Sequence, residues 1–136
     1  MMDEKLIFEK IGSHGVRAMV AEFYRLVPDD SILGPMYPKD DMQGAEDRLF
    51  HFMMFRLGGD QTYIEQRGHP RLRARHMPFS IGEKERDRWV ELMHKAMVAA
   101  EIPEDVIEAL NAFFFQVADF MRNQAEGSGI DFNPRA

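Results

Sequence analysis

The sequence predicts an all-α protein. Three observations support this: residues typical of strands are sparse, apolar residues recur at spacings of three and four, and the periodic stretches end at Gly or Pro. Thr occurs once, at Thr62, and Val and Ile never alternate with polar residues over the length of a strand. At 136 residues the chain is long enough for one domain with its own core. We expect this domain over residues 1–126 and a flexible tail over residues 127–136.

Composition excludes several classes of protein. The chain has no Cys, so disulfides, thiolate nucleophiles and Cys metal sites are impossible. A net charge of −6 argues against nucleic-acid binding, which needs a basic surface. No apolar run approaches the roughly 20 residues of a membrane span, and the N-terminus opens with acidic residues. We therefore expect a cytoplasmic protein that binds neither nucleic acid nor membrane.

The first 43 residues predict two helices and a loop. Asp3 can cap a short helix over residues 4–11, and Gly12 stops it. Ser13 can cap the next helix, which ends at Pro28, and residues 29–43 predict a loop that carries one aromatic residue, Tyr37. The apolar stripe of the second helix consists of Val16, Val20, Phe23 and Val27.

Three further helices are predicted in the rest of the chain. A helix over residues 44–57 is apolar around most of its circumference and ends at Gly58-Gly59. Ser80 and Glu83 match the pattern of a capping box before a long helix that contains Trp89. Pro103 opens the last helix.

Residues 66–79 are the most distinctive stretch, and His76 is its central side chain. Pro70 and Pro78 limit the helix there to barely two turns, so other parts of the fold must hold it. Leu72 and His76 share a face and Arg75 lies beside it, an arrangement suited to a flat apolar ligand that has a metal and carboxylates. The spacing also fits a hydrogen-bonded structural His and a solvated arginine face.

The polar aromatic residues also fit either a structural role or a role in ligand binding. A buried Tyr24 hydroxyl or Trp89 indole N–H needs a hydrogen-bond partner, which can be a core carbonyl or a ligand in a cavity. Eleven Met and eleven Phe can line a planar ligand or simply fill the core.

The combined motifs resemble those of the group II truncated haemoglobins. They are Phe23-Tyr24, Tyr37-Pro38, Gly58-Gly59 and the blocks 68–79 and 85–89, which read GHPRLRARHMPF and ERDRW. The resemblance covers about residues 4–122. It implies a truncated globin fold, a two-over-two helical sandwich that encloses haem b.

The resemblance also implies roles for individual residues. His76 would be the proximal iron ligand, Tyr24 and Trp89 would line the distal side, and Tyr37 would lie at the pocket edge, so that these three stabilise the bound gas. Ala45 matches the place of the distal histidine in larger globins and offers no hydrogen bond. The residues that match propionate-binding positions are Arg48, Tyr63 and Arg75. The other expected haem contacts are Leu49, Phe52, Leu72, Phe79, Trp89 and Met93.

The function implied by the resemblance is reversible binding of oxygen, NO or CO. Two hydrogen-bond donors would slow oxygen release, which favours oxygen and NO redox chemistry over bulk transport, although oxygen transport fits the family as well. One alternative is an NO dioxygenase or peroxidase served by an external reductase. Another is a haem-free module that binds an anionic partner. A monomer and a homodimer both fit the sequence.

One position departs from the family pattern. Relatives usually have an aromatic residue shortly before the glycine pair, where this chain has Arg56-Leu57. If that ring packs the helix end or the haem edge, haem retention or gas entry differs here.

Overall fold

The structure, a computed structural model, describes residues 2–59 and 81–120. Within these ranges the regular structure is helical and contains no strand, which confirms the predicted all-α class. The last helix begins directly after Pro103, as the sequence predicts. The four α-helices of the described ranges are α1 (Glu4–Leu26), α2 (Met42–Gly58), α3 (Glu83–Ala99) and α4 (Glu104–Phe120).

Helix α1 contains both of the first two predicted helices. Its N-terminus is capped as expected, because the Asp3 carboxylate accepts a hydrogen bond from the Leu6 N–H at 2.9 Å. Gly12 has φ 64° and ψ −178°, so the helix is broken there without ending as an element. Only Gly adopts this conformation without strain. The predicted stop at Gly12 is thus a kink between two helical segments.

The connection from α1 to α2 is more ordered than a plain loop. It contains two 3-10 turns, Val27–Asp29 and Gly34–Met36. Helix α2 then starts two residues earlier than predicted, with the Asp41 carboxylate accepting from the Gly44 N–H at 3.2 Å. It ends at Gly59, whose φ of 72° is the left-handed conformation expected for a glycine stop.

The start of α3 differs from the prediction. The helix begins at Glu83 with Gly82 as its N-cap, two residues after the predicted cap Ser80. Ser80 itself lies outside the described residues, so its predicted bonds with Glu83 stay a prediction. The Gly82 N–H instead donates to the Glu85 carboxylate at 2.8 Å, which is the reciprocal half of a capping box shifted by two residues. Ile81 and Gly82 are both buried, so the chain enters the helix from the core side.

Helix α1 lies at the centre of the packing. It packs against α2 and α3, and α3 packs against α4. The predicted stripe of α1 is fully buried, which confirms it as the core face. No helix within the described ranges is both long and apolar enough to cross a membrane. The largest fully buried side chains are Phe23, Met19, Leu33, Met53, Met93, Met97, Leu110, Val16, Val20, Val27 and Val106.

Candidate functional site

Three polar aromatic side chains meet at one edge of the core. Tyr24 comes from α1, Tyr37 from the connection to α2, and Trp89 from the second turn of α3. The ring of Phe23 lies among them, with centroids 5.3 Å from Tyr24, 6.5 Å from Tyr37 and 5.0 Å from Trp89. Tyr24 and Tyr37 contact each other edge to face, at 5.6 Å. The structure therefore brings together the three residues predicted to stabilise a ligand.

Tyr37 contacts both of the other polar residues in this cluster. The Trp89 indole N–H donates to the Tyr37 hydroxyl oxygen at 3.0 Å. Tyr24 is the other polar neighbour of Tyr37, and the two hydroxyls shift each other's pKa, upward for Tyr24 and downward for Tyr37. A phenol oxygen that accepts a hydrogen bond still has its own proton to donate. Tyr37 can thus offer a donor to a third group beside Tyr24 and Trp89.

Both hydroxyls are kept neutral by their surroundings. Burial raises the pKa of Tyr37 to about 12, although the hydrogen bond from Trp89 and the neighbouring Tyr24 hydroxyl partly oppose it. Burial also raises the pKa of Tyr24, and the neighbouring Tyr37 raises it further. Because burial disfavours the phenolate, both residues remain protonated donors over the whole neutral range.

Arg48 and Ala45 border the cluster on α2. Arg48 donates from Nη1 to the Asp41 carboxylate at 3.3 Å, and its charge acts on the Tyr24 hydroxyl by lowering its pKa. The guanidinium group is therefore close enough to Tyr24 to interact electrostatically with its hydroxyl. Ala45 is buried and has no polar side chain, so it offers no hydrogen bond at the position predicted to lack one.

The predicted apolar contacts on α2 and α3 differ in exposure. Phe52 and Met93 are buried within the core. Leu49 packs against the same core but stays half-buried, as do Tyr24 and Trp89. The donors therefore border an apolar surface that remains partly open.

The remaining predicted site residues lie outside the described residues. These are the predicted iron ligand His76, the predicted propionate contacts Tyr63 and Arg75, and the predicted haem contacts Leu72 and Phe79. Their roles stay predictions. The predicted tail over residues 127–136 also lies outside the described ranges.

Sequence reasoning missed one ion pair beside the cluster. Asp30 is buried, and its carboxylate accepts a hydrogen bond from the Arg88 guanidinium, immediately before Trp89. The Asp30-Ser31-Ile32 spacing is typical of an Asx turn and could have identified Asp30 as a structural acceptor. No local pattern identifies Arg88 as its partner, since the two residues are 58 positions apart.

Arg56, which departs from the family pattern, makes structural contacts of its own. Arg56 pairs with the Glu4 carboxylate at 2.8 Å, and its guanidinium lies 5.0 Å from the centroid of the Phe113 ring. Arg56 therefore connects the end of α2 to the start of α1 and to α4. A cation stacked on a ring stands where relatives usually place an aromatic side chain.

These features define a class of protein. It is a helical domain that presents neutral hydrogen-bond donors beside a partly open apolar surface, an arrangement suited to a small ligand. The profile of the bacterial-like globin family matches residues 6–123. The chain therefore belongs to the bacterial-like globins.

Individual relatives agree with this assignment. The chain is 34% identical over 119 residues to the group 2 truncated hemoglobin YjbI of Bacillus subtilis, covering 88% of this chain and 89% of the relative. A thermostable hemoglobin from Thermobifida fusca superposes with a TM-score of 0.81 at 40% identity, covering 88% and 98% of the two chains. A truncated oxygen-avid haemoglobin from Bacillus subtilis gives a TM-score of 0.80 at 32% identity, covering 86% and 98%. The predicted resemblance to group II truncated haemoglobins and the predicted truncated globin fold are confirmed.

Membership of this family implies a haem-binding globin. The described residues fit such a group in two respects. The donors of Tyr24, Tyr37 and Trp89 are uncharged, which suits a small neutral ligand in an apolar pocket. The half-buried side chains beside them leave apolar surface that a porphyrin can cover.

Proposed function

We propose that this chain binds oxygen, and other diatomic gases such as NO and CO, reversibly at a haem b iron that His76 ligates. Haem iron supplies the reversible bond to the gas, and the protein supplies the surroundings of that bond. The single observation that carries the proposal is the convergence of Tyr24, Tyr37 and Trp89. A few polar groups that converge beside an apolar surface are typical of a small-molecule site. To reach the ligand, the Trp89 N–H would exchange its bond with Tyr37 for a bond with the ligand.

The donors act by holding the ligand in the pocket. A hydroxyl or indole N–H that donates to a ligand with partial negative charge contributes about 1.5–3 kcal/mol. Two such bonds together slow ligand release roughly 10²- to 10⁴-fold. Ala45 adds no donor, so this effect depends on the aromatic cluster.

Tight retention favours chemistry over transport. A protein that releases oxygen slowly delivers it poorly, so we propose redox chemistry of oxygen with NO as its role, with electrons from an external reductase. The related Bacillus subtilis haemoglobin is oxygen-avid, and this property of the relative agrees with the strong retention proposed here. Oxygen binding and transport is the second candidate function, supported by family membership alone.

The cofactor contacts follow from the same proposal. Arg48 is the only one of the proposed propionate partners within the described ranges; it would exchange its bond with Asp41 for a propionate, a partner of the same charge. Tyr63 and Arg75 are the other two. The proposed apolar contacts are Leu49, Phe52, Leu72, Phe79 and Met93.

Absorption spectra test the haem and its ligand. The ferric, ferrous and CO forms of the purified protein should give the bands of a haem with a neutral His ligand. His76→Ala should lose haem or change these bands. His69→Ala is the matched control, because it removes another imidazole from the same stretch and should leave the spectra unchanged. Spectra of His76→Ala identical to those of the wild type would reject His76 as the ligand.

Oxygen off-rates test the donors. Trp89→Phe and Tyr24→Phe each remove one donor and keep an aromatic side chain, which is the same ring for Tyr24→Phe and a smaller one for Trp89→Phe. Each should raise the oxygen off-rate roughly ten- to a hundredfold. The exposed aromatic Phe115 on α4 gives a control in Phe115→Leu, which should keep the wild-type rate. Unchanged rates in both donor variants would defeat the proposal.

A further inference from the structure

Asp30 carries a buried carboxylate with three hydrogen-bond donors. Its side chain is 2% exposed. One oxygen accepts from the Leu33 N–H at 2.8 Å and from the Ile32 N–H at 3.1 Å, and the other accepts from Nε of Arg88. A buried charge is tolerated only when it is paired and hydrogen-bonded in this way. The carboxylate thus fixes a turn of the connection and joins it to α3.

Two backbone hydrogen bonds connect this turn to Tyr37. The Gly34 N–H donates to the Asp30 carbonyl at 2.9 Å, and the Tyr37 N–H donates to the Gly34 carbonyl at 3.2 Å. Leu33, between them, is buried in the core. Tyr37 then accepts the indole N–H of Trp89, the residue that follows Arg88. Together with the hydrogen bond between Asp30 and Arg88, these bonds form a closed ring of hydrogen bonds that starts and ends at α3.

The ring has two attachments to α3, at Arg88 and at Trp89. The Trp89 attachment is a single hydrogen bond between neutral groups. The Arg88 attachment is a hydrogen bond between charged groups, which is the stronger kind. Burial opposes ionisation of Asp30, but the Leu33 N–H and Arg88 outweigh it and hold the pKa of that carboxyl below its usual value. The charged attachment therefore persists at neutral pH.

We propose that Asp30 and Arg88 are a positioning pair: they hold the Tyr37-bearing connection against α3 and thereby set the hydrogen bond from Trp89 to Tyr37. Neither residue needs to touch the ligand for this role. The consequence for gas retention rests on the proposed function, whereas the positioning itself is a property of the protein chain.

Hydrogen exchange followed by NMR tests the pair. The variant is Arg88→Gln, compared with the wild type as purified and without added gas. Trp89 is the only Trp, so its indole N–H gives one assignable signal. We expect the indole N–H and the Tyr37 amide to exchange about tenfold faster than in the wild type, because the connection opens locally. The amide of Leu110, fully buried on α4, should keep its wild-type rate.

Glu91→Gln is the matched control. It removes the other partner of the same guanidinium, an exposed carboxylate 2.8 Å from Nη1 of Arg88, and leaves Asp30 in place. Its indole exchange should equal that of the wild type. If Arg88→Gln does not fold, Asp30→Asn replaces it: the amide oxygen can still accept from the Leu33 N–H, and the amide NH2 group cannot accept from Arg88.

Two results would overturn the positioning role. One is indole exchange in the variant equal to that of the wild type. The other is equal acceleration at the indole and at the Leu110 amide, since this indicates a loss of global stability only. Neither result depends on gas affinity. Failure of the pair is therefore distinguishable from failure of the proposed function, which the off-rates of Tyr24→Phe and Trp89→Phe decide.

Discussion

The indole N–H of Trp89 lies 3.0 Å from the hydroxyl oxygen of Tyr37, across 52 positions of sequence. The sequence leaves open whether a core carbonyl or a ligand satisfies the indole. In the structure the acceptor is another member of the same cluster. The bond joins α3 to the connection between α1 and α2, and it leaves the Tyr37 proton available for a further acceptor.

Removal of the Tyr37 hydroxyl should cost more stability than removal of the Tyr24 hydroxyl. Tyr37→Phe deprives the Trp89 indole of its acceptor and Tyr24 of its interaction partner, and should lower the free energy of unfolding by about 1–3 kcal/mol. Tyr24→Phe removes only a donor, and Tyr37 still accepts from Trp89. Urea unfolding at equilibrium measures both. A larger loss for Tyr24→Phe would contradict the central position of Tyr37.

Stability should fall in alkaline solution because of the two tyrosines. The native pKa of Tyr37 is about 12, against 10.0 for an ordinary tyrosine, and that of Tyr24 is raised as well. A raised native pKa contributes stability that is complete below the unfolded pKa and is lost as pH rises through the native value. The free energy of unfolding should therefore decrease from about pH 10 upwards.

The matched comparison for this pH effect is the double variant Tyr24→Phe/Tyr37→Phe. Its free energy of unfolding should change less over the same alkaline range, because these two ionisations are absent. Urea titrations at a series of pH values give the two curves. Parallel curves for the wild type and the double variant would show that other groups cause the alkaline loss.

Gly12→Ala should destabilise the protein more than Gly59→Ala. A Cβ at either position meets no atom within 4 Å, so neither substitution creates a clash. Gly59 is in the left-handed helical region, where Ala costs about 1 kcal/mol. Gly12 has φ 64° and ψ −178°, a conformation almost restricted to Gly, and Ala there should cost about 2–3 kcal/mol.

Urea unfolding of the two glycine variants decides the comparison. An unchanged or increased stability for Gly12→Ala would show that α1 straightens at little cost. The kink would then be a local preference of Gly12, and packing against α2 and α3 would not require it.

Arg56→Ala should lower the free energy of unfolding by about 1 kcal/mol, because it removes both the ring contact with Phe113 and the ion pair with Glu4. Glu4→Gln removes only the ion pair, which is partly exposed, and should cost about 0.5 kcal/mol or less. Thermal and urea unfolding measure both variants. Equal losses would mean that the stacking on Phe113 adds nothing.

The sequence by itself determined the features that depend on neighbours along the chain. Asp3 caps α1 because its carboxylate reaches an N–H three residues away, and Gly12 breaks the same helix because it lacks a Cβ. The apolar stripe from Val16 to Val27 predicts the buried face of α1, since periodicity alone decides which face is apolar. The aromatic donors could be singled out as well, because a buried hydroxyl or indole must have a partner.

Only the tertiary structure decided which partner each polar group finds. Trp89 bonds to Tyr37, and Asp30 to Arg88, over more than fifty positions, because the crossing of α1 and α3 brings the connection against α3. The start of α3 is of the same kind: Ser80–Glu83 and Gly82–Glu85 have identical spacing in the sequence, and only the structure shows that the Gly82 N–H donates to the Glu85 carboxylate. Local spacing defines what a side chain can bond to, and packing determines which of those bonds it makes.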